Sequence, residues 1–425
     1  MNTKDFLHSF KKRVFKITGE LPLRLSVQIK KGILARFTNN GVHQNGFQDL
    51  ITYIIRFTTK KGVLHVESND VSREGIQDAL ARAKEKMFHP EPFKTSPKRL
   101  YPKVKEYFPQ TPSRFYERAA LAVEKGLRLI RAERAVANGY YSEYARLFYF
   151  ADSSGREVIH PATATRFGLT ITKGEGKGYF SFFHPNPKKL QVSAVVTEAI
   201  RLAREASRDQ ISVKPGEYEC IFSPRAFLEL IEPMRKHFDG YFAETRKSVF
   251  SGLLGKKLFS ESLTLTDDVK CPGQFGVPFD AEGVPKKKVN LIERGILRGF
   301  LTQGHSTRGI LEHPVYPQNL VIKNGSLSFE QMVKEIRRGI FINKIWYHTL
   351  VRERNLEVTG LATAGSLYIE NGEVMGRAVN LRYHDSIFSI LNSVIHFSKE
   401  QMLLKDSEMG AALFPYLWVS RLKVT

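Results

Sequence analysis

Leu25, Val27 and Ile29 alternate with Ser26 and Gln28, the period-two pattern of a strand with one buried face. Strand-like stretches continue over residues 50–58 and 63–66. Ser72 then stands as an N-cap before Ile76, Ala79, Leu80 and Ala83, which recur at helical spacing through Met87. Pro90, Pro92, Pro97 and Pro102 punctuate the following segment and mark a linker. Thr111 and Pro112 read as cap and first-turn proline of a helix carrying Ala119, Leu121, Ala122, Leu127 and Ile130. Strands over 147–151 and 167–172 follow, each ending in a turn, at 152–155 and at 174–178. The glycines of the second turn, Gly174, Gly176 and Gly178, lack the Lys-Ser/Thr ending and opening helix of a phosphate loop, so they read as a hairpin. A helix over 194–206 closes this half.

Lys214, Pro215 and Gly216 form a boundary. Beyond it the pattern predicts a strand over 218–222 and one helix from Arg225 to about His237. Hairpins follow around Arg294-Gly295 and Asn371-Gly372, the second carrying the strongest short turn signal. Ser328 and Gln331 match a capping box. Strands outnumber helices, and the two segregate locally. That predicts an α+β protein with domains at 1–213 and 214–425, and a sub-boundary near 90–110.

Composition changes the picture in two places. The 425 residues hold 65 Lys+Arg against 43 Asp+Glu, a net charge of +22, and half of that excess lies in residues 1–110. A solvated basic face and an acidic partner, such as nucleic acid or an acidic protein, both fit; no zinc-finger, RRM or helix-turn-helix signature selects among them. The two cysteines, Cys220 and Cys271, exclude a disulfide scaffold and a Cys-rich zinc module, and fit a reducing, cytoplasmic setting. Neither a secretory leader nor an apolar run near the ~20 residues of a membrane span is visible.

Several stretches come in a familiar order: Lys247 to Gly252; Pro278-Phe279-Asp280-Ala281-Glu282-Gly283-Val284-Pro285 with the hairpin 291–299; Gln318-Asn319-Leu320 with Asn324-Gly325; and Gly365 to Glu373. In the first half, Ser68-Asn69-Asp70 and residues 152–158 agree. Together they resemble the TldD/PmbA family, also called modulators of DNA gyrase, nearly end to end. The resemblance implies an N-terminal α+β half, a strand-rich C-terminal half enclosing a cleft, and a dimer. Read from the residues alone, Asp280 and Glu282 are an acidic pair in a loop, suited to a turn or subunit contact, or to acid–base chemistry.

Many members of the family are zinc metallopeptidases whose helix after the first C-terminal strand carries His-Glu-x-x-x-His, with a third ligand from a cysteine near the C-terminus. The resemblance places Ile231 and Lys236 on the two histidine positions and Glu232 on the glutamate. Shifting by one residue recovers His237 but loses Glu232. Residues 384–425 contain no cysteine, and His305 and His313 have no metal-site spacing. The expectation is a zinc-less subunit or homologue of a TldD/PmbA-type peptidase, with no cofactor, that shapes a cleft for small or unfolded peptides. It would pair with itself or with a TldD-type metallopeptidase subunit. An active metallopeptidase with unrecognised ligands, and a basic nucleic-acid or acidic-protein binding modulator, are the alternatives.

Overall fold

The computed structural model describes residues 3–19, 22–59, 62–84, 101–109, 113–280, 283–301, 316–405 and 410–425. Met87, the Pro90–Pro97 segment, Thr111-Pro112, Glu282, His305 and His313 lie outside the described residues. The first half is a six-stranded antiparallel sheet. Its strands are β1 (Leu23–Thr38), β2 (Gly41–Thr59), β3 (Gly62–Ser68), β4 (Val136–Asp152), β5 (Glu157–Lys173) and β6 (Gly176–His184), in the order β3-β2-β1-β4-β5-β6. Its helices are α1 (Thr3–Thr18), α2 (Arg73–Lys84), α3 (Phe115–Ala132) and α4 (Val192–Glu205).

The predicted strand at Leu25–Ile29 is the opening third of β1. Lys30, Lys31 and Gly32 interrupt the apolar alternation, yet the strand runs on, because a second helix pair covers its far end. Leu25, Val27 and Ile29 pack with α1 and α2 around Phe10, Tyr53 and Ile76. Ile33, Ala35 and Phe37 pack with α3 and α4 around Phe167, Leu127 and Ala199. All four helices therefore share one face of the sheet. Ser72 caps α2 as expected, its hydroxyl accepting the Gly75 N–H at 2.9 Å. The 174–178 turn is a hairpin between β5 and β6. Its glycines let α4 lie directly on the strand, since a Cβ at Gly178 would meet the Ala199 carbonyl oxygen at 2.2 Å.

The second half is built on a 14-stranded mixed sheet that starts at Asp209–Ser212. Strand Gly216–Phe222 lies between Ala411–Val424, antiparallel, and Arg338–Ile342, parallel. Both predicted hairpins form, with Arg294 and Gly295 at φ 47° and 76° and Asn371 and Gly372 at 49° and 78°. These are the positive angles of a two-residue turn matched to strand twist. The Ser328–Gln331 capping box closes in both directions. Among the described residues no helix is long and apolar enough to cross a membrane.

The face of the first sheet turned away from its helices meets the second half along an apolar seam. Tyr144, Phe148, Phe150, Ala162 and Phe183 pack against Phe275, Val277 and Phe279. The Asp280–Val284 turn sits on this seam. Gly283 has φ 67°, and a Cβ there would fall 2.3 Å from the Phe150 ring. Tyr101 donates to the Gly283 carbonyl at 3.0 Å. Gly155 has φ 83° but nothing within 4 Å of its Cβ direction. Gly155→Ala is expected to cost only the left-handed backbone term, about 1 kcal/mol. Gly283→Ala is expected to cost ~1–3 kcal/mol more, because the aromatic ring must move. Urea midpoints of the two variants check this, and equal losses would mean that the seam yields freely.

Candidate functional site

The segment that the resemblance sets against a metal-binding helix comprises α5 (Pro224–Leu230) and the 3-10 turns after it, Glu232–Phe238. Ser223 caps α5 by accepting the Ala226 N–H at 3.1 Å, and Pro224 occupies its first turn. The single helix expected from Arg225 to His237 does not form. Pro233 has no N–H to give, and its ring would strike the carbonyl four residues back, so the α-helix stops at Leu230. The chain tightens to 3-10 geometry, with Met234 N–H bonding the Ile231 carbonyl at 3.0 Å.

Ile231 is 1% exposed and belongs to the core of the second half. Lys236 points outward to Glu353, Nζ to Oε1 2.7 Å. Glu232 lies at the surface, held by Arg235 at 2.6 Å. The buried Arg235 guanidinium also donates to the Pro317 carbonyl and lies over the Tyr316 ring. His237 is fully buried, its Nδ1 accepting the Val249 N–H at 3.3 Å and its Nε2 3.7 Å from Glu353. Burial first, then the Lys236 charge, push its pKa down to about 4.

Zinc needs three or four lone-pair donors converging at about 2 Å. Ile231 offers none, Lys236 is an ammonium engaged with a carboxylate, and the Nδ1 of His237 is occupied. The residues at this position do not fit the metal. No group of three His, Cys, Asp or Glu side chains that could hold one occurs among the described residues. Cys220 lies mid-strand, fully buried, with its thiol pKa raised by burial. Half-buried Cys271 is raised by burial and by Asp268. Asp280 uses its carboxylate inside its own turn, accepting the Val284 N–H at 2.9 Å.

What the fold does provide is a pocket where the outer edge of β6 meets the second half, lined by Tyr179, Ser181, Glu198, Arg225, Asn343 and Tyr416. Asn343 staples it, its Nδ2 donating to the Tyr179 and Ala364 carbonyls at 2.9 and 2.8 Å. Sequence reading missed this pocket and missed Glu353 beside His237. No local motif marks either, since both arise from pairings more than a hundred residues apart.

Residues 215–425 match the model of the PmbA/TldA metallopeptidase C-terminal domain. A metalloprotease of Methanocaldococcus jannaschii is 35% identical over 142 residues, 30% of this chain and 32% of that protein. A zinc metalloprotease TldD homologue of Saccharolobus solfataricus is 23% identical over 295 residues, 61% of this chain and 63% of that protein. The matches span 24%, 32% and 52% of the length of the first three curated relatives. The crystal structure of TldE from Thermococcus kodakarensis superposes with a TM-score of 0.84 at 22% identity, covering 99% of both chains, and so has the same fold.

The neutral, buried His237 makes the fold acid-sensitive. Its folded pKa, about 4, lies below the ordinary 6.5. The stability it supports is whole above pH 6.5 and drains as the unfolded state takes up its proton. Between pH 7.5 and 5 the expected loss from this one group is on the order of 1–2 kcal/mol. His237→Gln should flatten the pH dependence of urea stability by that amount. A variant with the wild-type slope would show that His237 does not titrate this way.

Proposed function

Since the chain belongs to the TldD/PmbA family, we propose that it is a zinc-less, non-catalytic member that works beside a TldD-type metallopeptidase subunit and presents small or unfolded peptides. The observation that carries this reading is the helix break at Pro233. Of the two positions that the resemblance assigns to ligands, Ile231 lies in the core before the break and Lys236, beyond it, is paired with Glu353. Hydrolysis at neutral pH by this family's route needs a metal to lower the pKa of its water. Glu232, paired with Arg235 at the surface, has no such water to act on. The likeness to TldE in fold and the TldD homologue among the relatives support the pairing. The cytoplasm is the compartment that suits two free cysteines and no disulfide.

The chain alone is expected to leave an unstructured peptide library uncut, with and without chelator. Ile231→His/Lys236→His is expected to gain at most weak cleavage, because the break at Pro233 keeps the two imidazoles apart and no third ligand is supplied. Robust chelator-sensitive cleavage by the wild type would overturn the non-catalytic reading. Light scattering is expected to show a dimer, or native extract to yield a metal-containing relative bound to the chain; a clean monomer with no captured relative would contradict the partnership.

A further inference from the structure

The strand β2 outruns its neighbour. β3 pairs with it only over residues 53–59, while β1 follows it from Gly41 onward. Residues 41–52 of β2 are therefore a sheet edge, with no strand on their outer side among the described residues. The edge is open to solvent, with Val42, Phe47 and Leu50 exposed by 54%, 46% and 48%. Its register against β1 is regular over 44–57 and shifts only beyond Gln44. Phe47 stands opposite Ile33 and Asn45 opposite Ala35, so both lie on the helix face. There Phe47 stacks on Tyr116 of α3, with ring centres 5.9 Å and planes 25° apart, and Tyr116 is itself more than half exposed.

Free edges are ordinarily blunted by lysines, prolines or inward charges, since their unpaired N–H and C=O groups invite another strand. This one carries none of those devices. Residues 41–52 hold no Lys, Arg or Pro, in a chain with 65 Lys+Arg and a net charge of +22. Their one acidic side chain, Asp49, is offset by Lys31 at 3.0 Å. A surface that elsewhere repels a copy of itself is here neutral. The segment 44–50 is also complementary to itself. Laid antiparallel to a second copy about a two-fold axis at Phe47, it sets Phe47 against Phe47 and Asn45 against Asp49. Gln44 then meets Leu50, and Gly46 meets Gln48. Paired positions share a face, no like charges are opposed, and each Asn45 amide reaches an Asp49 carboxylate of the other copy. Phe47 and Tyr116 of both copies form a four-ring cluster across the axis.

We propose that residues 44–50 of β2 join the same edge of a second copy of this chain, so that two six-stranded sheets run on as one; this names the surface for the pairing proposed above and rests on it. The contact is isologous, as closed two-fold symmetry requires. Main-chain hydrogen bonds satisfy the edge groups that β3 leaves unpaired. The ring cluster supplies the apolar centre, and the neutral edge lets two strongly basic chains approach without opposed charge.

The test uses the full chain in two arms. In the first, Phe47→Lys sets two ammoniums against each other at the axis and removes the ring cluster. Light scattering over a dilution series is expected to show a wild-type dimer, with dissociation at least about tenfold easier in the variant. In the second, Gln44→Cys and Leu50→Cys are mixed under mild oxidation. Residues directly opposite in an antiparallel pair lie about 4.5–5.5 Å apart at Cα, within disulfide reach. The mixture is therefore expected to cross-link, whereas each variant alone, its cysteines about 20 Å apart, is not. The wild type, with Cys220 and Cys271 only, is the control. An undiminished dimer in a folded Phe47→Lys, or a mixture that cross-links no better than its components, would overturn this interface and leave the pairing standing. A wild-type monomer that captures a metal-containing relative would overturn the second copy as occupant and leave the pairing standing. A monomer that captures none would overturn both. A monomer whose binding of an unstructured peptide is lost in Phe47→Lys would overturn the second copy and reassign the edge to peptide.

Discussion

The parity of two long strands, β1 and β4, governs the rest of the molecule. Their antiparallel register pairs residues from Arg24 with Asp152 through Phe37 with Gly139. Each side chain is thereby committed to one face or the other. Odd positions such as Leu25, Ile33 and Tyr141 bury themselves under four helices. Even positions such as Phe148 and Phe150 build the seam with Phe275 and Phe279, and others on the same face, Lys30 and Arg146, meet as opposed cations. A one-residue slip would exchange the two sets and bury the cations under the helices.

The second half holds a different constraint in a single residue. Pro233 ends α5 at Leu230, and the chain takes up 3-10 geometry over Glu232–Phe238 in place of a continued α-helix. Ile231 completes the core, Lys236 and Glu353 close over His237, and Arg235 reaches the Pro317 carbonyl. The whole segment is tied down by packing and ion pairs.

Features written in adjacent residues were legible from the sequence. The Asn371-Gly372 and Arg294-Gly295 turns, the Ser328–Gln331 box and the Ser72 cap each depend on backbone angles or bonds spanning four residues or fewer. The α+β class followed from the excess of strand patterns over helical ones and their local segregation. The helix over 225–237 was misjudged because its apolar spacing outlasts its backbone: Met234 and Phe238 remain buried although the helix has tightened to 3-10 turns. The length of β1 was under-read because Lys30-Lys31-Gly32 looks like an ending, while β4 is what carries it through. Glu353 beside His237, and Arg146 and Arg166 near Lys30, meet only through pairings far apart in the chain. No local pattern announces them.

The central claim is that the metal-ligand positions have been given over to packing. Titration of the metal-free chain with zinc at pH 7.5, followed by calorimetry, tests it most directly, since three well-placed ligands would bind far more tightly than about 1 μM. The account predicts no saturable equivalent in that range. One tight equivalent per chain, abolished by His237→Asn, would contradict it.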